Sequence, residues 1–228
     1  MTIKDNYNRL KDDVIETALK CGRNPDEIKI IAVSKTFSVD KIQEAVNSGI
    51  TIFGENKVQE AALKFPHIKD PYELHMIGHF QSNKSREALK LFDVIHSIDK
   101  ISTASKLNSE SEKNGKILRI YLQLKTTEEI TKSGADPLEI LKIVESIVEM
   151  KSLKLEGLMS IGPNTTDPGL IQKSFAETAK TLDIINKRFN LNLTGLSMGM
   201  SGDFKIAIKE GATILRIGSA IFGDRDYI

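Results

Sequence analysis

Short apolar runs alternate with longer amphipathic stretches along almost the whole chain. The runs are rich in β-branched residues, as in buried strands, whereas the stretches between them repeat apolar residues at helical spacing. This alternation is typical of repeated strand–helix units, and a polar helix from Asp5 to about Cys21 precedes them. The predicted strands are Ile28 to Val33, Ile50 to Phe53, Glu73 to Ile77, Asp93 to Ile98, Ile117 to Leu124, Leu155 to Ile161, Leu193 to Met198 and Thr213 to Ile217.

Residues that favour helix ends lie between these strands. Some of these side chains commonly cap a helix N-terminus and predict helix starts at Ser38, Ser82 and Asp136. At the third start a proline, Pro137, follows the capping residue, which is favourable in the first turn of a helix. Glycines, which adopt the left-handed conformation that ends a helix, predict helix ends at Gly49, Gly115 and Gly211.

The number of predicted strands, about eight, is the number that closes a TIM (β/α)8 barrel. A doubly wound open sheet produces the same alternation, so the strand count is the one local argument for closure. No composition shift or Pro/Gly-rich linker divides the chain. We therefore predict an α/β protein with a single TIM barrel, preceded by an N-terminal helix, in one domain that spans residues 1–228.

Composition limits the kinds of partner. The 228 residues carry a formal net charge of +1, which gives no strong field for nucleic acid or anionic lipid, so a small-molecule partner is expected. No apolar run approaches the roughly 20 residues of a membrane-spanning helix. The single cysteine, Cys21, excludes an internal disulfide, and the start of the chain lacks the apolar core of a signal peptide, so we expect a cytoplasmic protein. No long apolar surface run is evident, which favours a monomer.

Lys35 ends the first predicted strand. In a barrel, functional groups gather where the strands end. Apolar walls around an amine favour its neutral form and free a nucleophile that condenses with aldehydes. The alternative interpretation is an ordinary solvated lysine, which is the commoner case for any single lysine.

Asn56 and His79 follow the second and third predicted strands, next to Gly54 and Gly78. The glycines permit close approach of a ligand to the backbone, and the two side chains can donate or accept hydrogen bonds at the rim, although both could equally be structural. His75 is expected in the core. The histidines and the cysteine lack the spacing of metal ligands, so no metal site is predicted.

Small residues follow the seventh and eighth predicted strands, namely Ser201, Gly202, Gly218 and Ser219. Loops at these two places commonly bind phosphate in such barrels, with backbone N–H groups directed at the anion. Equally, Gly199 and Gly218 could serve tight turns and Ser201 could cap a helix.

Arg216 alternates with Leu215 and Ile217 inside the last strand, so its side chain is expected in the barrel mouth. A buried guanidinium needs a partner and can only donate hydrogen bonds. One candidate partner is the pyridine nitrogen of a cofactor, which would then stay unprotonated and leave the ring a poor electron sink. A carboxylate inside the barrel is the other candidate.

Six segments of the sequence carry a family resemblance. In chain order they are Ala32 to Lys35, Phe53 to Glu60, His75 to Lys84, Gly157 to Pro163, Leu196 to Ser201 and Arg216 to Gly223. The sequence resembles the pyridoxal phosphate homeostasis proteins, also called the YggS or PROSC family, whose fold is similar to the barrel domain of alanine racemase. The resemblance covers most of the chain and implies a closed barrel that binds pyridoxal 5′-phosphate.

The resemblance also implies roles for eight residues at the cofactor. They are the Schiff-base lysine Lys35, Arg216 opposite the pyridine nitrogen, the phosphate contacts Ser201, Gly218 and Ser219, and the pocket-wall residues Asn56, His79 and Met200. The sequence departs from the family pattern at two places: Lys57 replaces an aromatic residue, and the segment from Leu122 to Thr126 replaces a Gln-Val-Asn run on the fifth strand. The outer face of the cofactor is therefore expected to be lined differently.

The function implied is a module that stores, buffers or hands over the cofactor in intracellular vitamin B6 homeostasis, with no catalytic residue and with pyridoxal-phosphate-dependent apo-enzymes as candidate recipients. Racemisation needs a second acid–base group, typically a tyrosine, on the opposite face of the cofactor. The tyrosines lie outside the shared segments. Tyr121 lies on a predicted barrel strand and remains a candidate for the second group; the others are Tyr7, Tyr72 and Tyr227. A weak amino-acid racemase with Lys35 as its sole base is the alternative.

A third interpretation is a phosphosugar isomerase on the same barrel. It needs a carboxylate base at the barrel mouth, for which Glu55 is the candidate. Nothing beside Glu55 in the sequence matches the electrophile that such an enzyme needs.

Overall fold

The computed structural model describes residues 2–127 and 133–223. Within them, eight parallel strands pair in sequence order, and the last strand pairs with the first to close a barrel. The strands are β1 Lys29–Val33, β2 Ile52–Glu55, β3 Glu73–Met76, β4 Val94–Ile98, β5 Leu118–Gln123, β6 Leu153–Met159, β7 Gly195–Ser197 and β8 Ile214–Ile217. The predicted TIM barrel with a preceding helix is therefore confirmed.

Helices surround the barrel and connect its strands. They are α1 Ile3–Lys20, α2 Val39–Asn47, α3 Val58–Lys64, α4 Ser85–Leu91, α5 Ile101–Lys113, α6 Pro137–Ile147, α7 Pro168–Phe189, α8 Phe204–Lys209 and α9 Ser219–Phe222. Of the helices in these two described ranges, none combines the length and the apolar character needed to cross a membrane.

The predicted and observed strands differ by a few residues at their ends. The sixth strand, predicted from Leu155 to Ile161, runs Leu153–Met159. Leu153 pairs with Leu118 of β5, so pairing with the neighbouring strand extends β6 towards its N-terminus. At the other end β6 stops at Met159, the Ser160 N–H still donates to the Ser197 carbonyl of β7, and Ile161 lies beyond the strand.

Most predicted helix ends are confirmed. Ser38 Oγ accepts a hydrogen bond from the Lys41 N–H at 3.4 Å. Asp136 forms a reciprocal capping box with Glu139, which satisfies two backbone N–H groups at the start of α6. The three glycines predicted to end helices all have positive φ angles: Gly49, Gly115 and Gly211.

The helix start predicted at Ser82 is wrong. Residues Ser82–Lys84 form a 3-10 turn, and α4 begins at Ser85. The Ser82 carbonyl accepts a hydrogen bond from the Ser85 hydroxyl at 2.7 Å. This bond stabilises the turn through the hydroxyl of Ser85, the residue at which α4 begins.

The apolar core lies mainly between the barrel strands and the surrounding helices. A smaller apolar cluster fills part of the barrel interior and consists of Ile31, Val94, Tyr121, Met159 and Ile214. Buried polar side chains share that interior, where the bond between His96 of β4 and Ser197 of β7 joins two strands that are not neighbours. They are His75, His96, Ser197 and Arg216. The expectation that His75 lies in the core is confirmed.

Candidate functional site

A cavity of about 430 Å³ opens at the carboxyl end of the barrel strands. All eight residues that the sequence indicated as cofactor-binding line this cavity: Lys35, Asn56, His79, Met200, Ser201, Arg216, Gly218 and Ser219. They belong to five different strands and the loops that follow them, which the closed barrel brings to one place. The arrangement combines an amine, a guanidinium and loops of small residues.

The cavity wall also contains residues for which the sequence patterns indicated no individual role. Gln123 ends β5, and its Nε2 donates to the carbonyl of Ser133 at 2.7 Å. The position of Gln123 at the carboxyl end of a strand is the signal that could have found it. Lys57, by contrast, is exposed and does not line the cavity. Ser133 is a further polar wall residue, and the other unpredicted ones are the apolar Val33, Ile77 and Ile161.

Lys35 lies two residues beyond the end of β1 and is half-buried at the cavity wall. The next residue, Thr36, has a φ angle of 71°. A β-branched residue adopts this left-handed conformation only where the surroundings hold it there, at a cost on the order of 1–3 kcal/mol. The turn that carries Lys35 therefore needs other contacts to stabilise it.

Glu60 and Lys64 of α3 supply these contacts. Glu60 Oε1 accepts a hydrogen bond from the Thr36 N–H at 2.6 Å and lies 2.7 Å from Lys64 Nζ. Lys64 Nζ also donates to the carbonyl of Ser34 at 2.9 Å. Burial raises the pKa of Glu60, but the hydrogen bonds from Lys64 and Thr36 outweigh burial and hold that pKa below its ordinary value. Both neighbours of Lys35 in the chain are thus bonded to one helix.

Glu55 is fully buried beside the same turn. Its Oε1 lies 2.7 Å from Lys64 Nζ and accepts a hydrogen bond from Ser34 Oγ at 2.8 Å. Burial raises the pKa of Glu55, and the ion pair with Lys64 opposes that effect. Glu55 does not line the cavity. The phosphosugar isomerase interpretation therefore loses its candidate base.

Arg216 lies at the base of the cavity and is 5% exposed. Its Nη1 donates to the carbonyl of Ser197 at 2.6 Å, and its Nη2 donates to the carbonyl of Ser160 at 2.8 Å. Burial lowers the pKa of Arg216 to about 10, an effect that Asp203 opposes, so the guanidinium stays charged at neutral pH. Within residues 2–127 and 133–223, no carboxylate lies within ion-pair distance of Arg216, so the alternative of a carboxylate partner finds no support.

The loops after β7 and β8 lie side by side at the cavity. Ser201 Oγ accepts a hydrogen bond from the Ala220 N–H at 3.3 Å, which ties the first loop to α9. Ser201 does not cap α8, which begins after Asp203. The capping alternative for Ser201 is therefore wrong, because its hydroxyl is used between the two loops.

Backbone N–H groups of these loops are available to a ligand. Among the residues that the structure describes, no acceptor bonds the N–H groups of Gly202, Gly218 and Ser219. All three residues line the cavity. Converging N–H groups of this kind bind anions such as phosphate.

Asn56, His79 and Met200 form the rim of the cavity. His79 Nδ1 lies 3.2 Å from Ser133 Oγ, and Met200 is 40% exposed. The backbone of Asn56 packs against Gly78, where an added Cβ would lie 2.3 Å from the Asn56 carbonyl oxygen. Gly78 is thus required for the close approach of these two strand ends.

A second cavity, of about 680 Å³, lies at the amino end of the barrel. Arg119 on its wall pairs with two carboxylates, since its Nε lies 2.8 Å from Glu156 Oε1 and its Nη1 lies 2.7 Å from Glu73 Oε1. Tyr121 lines this cavity, with its hydroxyl 3.5 Å from Glu156 Oε2, and burial raises the pKa of Tyr121. Tyr121 therefore lies at the opposite end of the barrel from Lys35.

The other tyrosines do not change this arrangement. Tyr7 and Tyr72 do not line the cavity at the carboxyl end, and Tyr227 lies outside the described residues. In the part of the chain that the structure describes, no group of three or more His, Cys, Asp or Glu side chains is arranged to hold a metal ion.

Known proteins resemble this chain in sequence and in fold. The profile of the family "Alanine racemase, N-terminal domain" matches residues 3–226. The pyridoxal phosphate homeostasis protein of Vibrio alginolyticus is 39% identical over 231 residues, with 99% of each chain covered. The structure of PipY from Synechococcus elongatus PCC7942 with PLP bound has a TM-score of 0.86 at 31% identity and covers 97% of this chain and 100% of its own. Alanine racemase of Clostridium difficile 630, at 14% identity and a TM-score of 0.74, covers 99% of this chain and 57% of its own and shares the fold alone.

Proposed function

Because the chain belongs to the family of pyridoxal phosphate homeostasis proteins, which share the alanine racemase N-terminal domain, we propose that it binds pyridoxal 5′-phosphate as a Schiff base on Lys35. Its role is intracellular vitamin B6 homeostasis, without catalysis. The observation that carries this proposal is the convergence of Lys35, Arg216 and the loops after β7 and β8 on one cavity. The presence of PLP in the related PipY structure supports the choice of cofactor.

The donor groups of the cavity fit this cofactor. Pyridoxal phosphate supplies an aldehyde that condenses with an amine, together with a phosphate group and a pyridine ring. Lys35 offers the amine, and the N–H groups of Gly218 and Ser219, with the hydroxyl of Ser201, suit the phosphate. The volume of about 430 Å³ falls within the roughly 300–1,000 Å³ of small-molecule sites.

Arg216 supports a binding role over a catalytic one. A guanidinium that stays charged donates to a ring nitrogen and keeps that nitrogen unprotonated. The ring then lacks the positive charge that stabilises carbanions in most enzymes of this cofactor class. Among the described residues, moreover, no tyrosine lines the cavity as a second acid–base group.

The biological setting extends this proposal. Residues 1–228 act as one cofactor-binding domain, monomeric and cytoplasmic, and pyridoxal-phosphate-dependent apo-enzymes receive the cofactor from it. Asn56, His79 and Met200 at the rim, with Gln123 on the wall, shape the outer side of the site.

An absorbance scan with borohydride trapping tests the attachment point. We expect the purified protein to absorb near about 420 nm, as a protonated Schiff base of this cofactor does. Reduction and peptide mapping should place the adduct on Lys35, and Lys35→Ala should lose the band. Lys57→Ala, which changes an exposed lysine outside the cavity, is the matched control and should keep it. A band that survives in Lys35→Ala, or an adduct on another lysine, would contradict the assignment.

Proton exchange distinguishes this function from a weak racemase. A racemase with Lys35 as its sole base would exchange the α-proton of alanine in deuterated water and would lose that exchange in Lys35→Ala. We expect the protein to exchange no faster than free pyridoxal phosphate at the same concentration. Exchange that depends on Lys35 would favour the racemase.

A further inference from the structure

A line of hydrogen bonds crosses the barrel interior from the base of the cavity to the amino end. Arg216 Nη1 donates to Ser197 Oγ at 2.9 Å, and Ser197 Oγ lies 2.9 Å from His96 Nδ1. His96 Nε2 lies 2.8 Å from His75 Nδ1, and His75 Nε2 lies 2.8 Å from Glu73 Oε1. Every member except Glu73 is buried, so solvent does not replace these bonds.

One arrangement of protons along this line satisfies every donor and acceptor and adds no further buried charge. Arg216 can only donate, so Ser197 Oγ accepts from it and donates its own proton to His96 Nδ1. Burial holds the pKa of His96 well below its ordinary value, so His96 is neutral and carries its one proton on Nε2. His96 donates that proton to His75 Nδ1, and the Nε2 proton of His75 is donated to the carboxylate of Glu73.

The opposite arrangement, in which each of the two histidines carries its proton on Nδ1, is less favourable. If His96 carried its proton on Nδ1, its Nε2 would have to accept from His75. The Nε2 of His75 would then face Glu73 without a proton, or His75 would become a buried cation. Such a cation would lie near Arg119, which already donates to Glu73 at 2.7 Å. The hydroxyl proton of Ser197 would also lose its acceptor.

We propose that His96 and His75 are positioning residues for Arg216, each in the neutral Nε2–H tautomer, and that they connect its guanidinium to the charge of Glu73. Aligned hydrogen bonds polarise one another. The line therefore makes Ser197 Oγ a stronger acceptor and partly compensates the buried charge of Arg216, which contacts no carboxylate directly among the residues that the structure describes. The guanidinium is held in one orientation towards the cavity. That it thereby orients a ring nitrogen rests on the proposed function.

NMR tests the tautomers in the ligand-free protein. Long-range proton–nitrogen correlations of the imidazole rings report which ring nitrogens are protonated. We expect His96 and His75 both as neutral Nε2–H tautomers near neutral pH, with the exposed His67 as the reference for a solvated ring. A proton on Nδ1 of His96, or a doubly protonated His75, would overturn the proposal whether or not the protein binds pyridoxal phosphate.

A double-mutant cycle tests whether His96 affects cofactor binding through Arg216. His96→Phe removes both hydrogen bonds but keeps a ring to stack on Tyr121, whose ring centroid lies 4.4 Å away. We expect this substitution to weaken pyridoxal phosphate binding roughly tenfold and to shift the absorption maximum of the bound cofactor. In an Arg216→Met background, the same substitution should cause no further change. Ser197→Ala interrupts the line with a smaller change and should reproduce the weaker binding if His96→Phe does not fold.

Two other outcomes distinguish the positioning role of His96 from a purely structural role and from a failure of the proposed function. Equal weakening by His96→Phe with and without Arg216 would indicate a structural role alone and would overturn the positioning role. A wild-type protein that takes up no pyridoxal phosphate would contradict the proposed function, and the NMR measurement would still decide the tautomers.

Discussion

Lys64 Nζ lies 2.7 Å from Glu55 Oε1 in a buried ion pair beside the turn that carries Lys35. Lys64→Met would leave the Glu55 carboxyl buried without its counter-charge. Because breaking a buried pair on one side typically costs about 3–5 kcal/mol, we expect a fall of that order in the free energy of unfolding at neutral pH. Urea denaturation followed by circular dichroism measures it.

The control for this prediction removes the charges of both Lys64 and Glu55. Lys64→Met combined with Glu55→Gln should be more stable than Lys64→Met alone, since the fully buried carboxylate is gone and the one left without Lys64, that of Glu60, is partly exposed. Lys57→Met, at an exposed position, should leave stability within about 0.5 kcal/mol of the wild type. A Lys64→Met protein as stable as the Lys57→Met protein would show that the pair does not stabilise this turn.

Gly78→Ala should disturb the cavity rim. The added Cβ would lie 2.3 Å from the Asn56 carbonyl oxygen, so one of the two strand ends has to move. We expect a loss of stability on the order of 1–3 kcal/mol and weaker uptake of pyridoxal phosphate. Gly202→Ala, where the added Cβ meets nothing within 4 Å, is the matched control for stability in thermal denaturation. Equal melting temperatures for the two variants would contradict the prediction.

The stability of the protein should fall at acid pH partly through Glu73. The hydrogen bond from His75, with help from Arg119, lowers the pKa of Glu73 from 4.5 to about 2. Since the unfolded chain binds this proton at higher pH than the folded chain, ionised Glu73 stabilises the fold above about pH 4.5, and this stabilisation is lost as the pH falls towards about 2. With the side chain 29% exposed, solvent screening limits the effect to on the order of 1–2 kcal/mol.

Urea denaturation of Glu73→Gln across the acid range measures this contribution. The variant should lose less stability than the wild type between about pH 6 and about pH 3, because it has no carboxylate to protonate. The control is Glu112→Gln, an exposed position, which should follow the wild-type curve. Parallel curves for wild type and Glu73→Gln would refute the assignment.

Substitutions of Ser219 test where the phosphate group of the cofactor binds in the proposed site. It is exposed and lines the cavity beside Gly218. Ser219→Asp would place a carboxylate next to the cofactor phosphate, so we expect the dissociation constant of pyridoxal phosphate to rise by about tenfold or more. Ser219→Ala removes the hydroxyl without adding charge and should raise it only a few-fold, as fluorescence titration can measure. Equal affinities for the two variants would place the phosphate elsewhere.

Much of the fold and of the candidate site could be predicted from local patterns. Apolar runs with helical stretches between them indicate parallel strands, and parallel strands that close a barrel direct all their carboxyl ends to one cavity. The positions of Lys35, Asn56, His79 and Arg216 at strand ends therefore predict that they lie together, as they do around the cavity.

Contacts between distant segments could not be predicted in this way. The conformation of Thr36 opposes the preference of a β-branched residue and depends on Glu60 from another element. Likewise, the bond between His75 and His96 depends on the registers of two neighbouring strands and on which face of each strand points inward. The helix start predicted at Ser82 differs from the structure because the Ser85 hydroxyl bonds the Ser82 carbonyl in a 3-10 turn, which a capping pattern does not distinguish from the first turn of a helix.

The pairing of β1 with β8 means that the two sides of the cavity come from opposite ends of the polypeptide. During translation, the segment with Lys35 leaves the ribosome long before the segment with Arg216 and Gly218 has been synthesised. A nascent chain therefore presents an ordinary lysine with no groups to hold an anion beside it, and such long-range pairing forms late in folding. On the proposed function, the chain can therefore hold the cofactor only after β8 has been synthesised and has paired with β1.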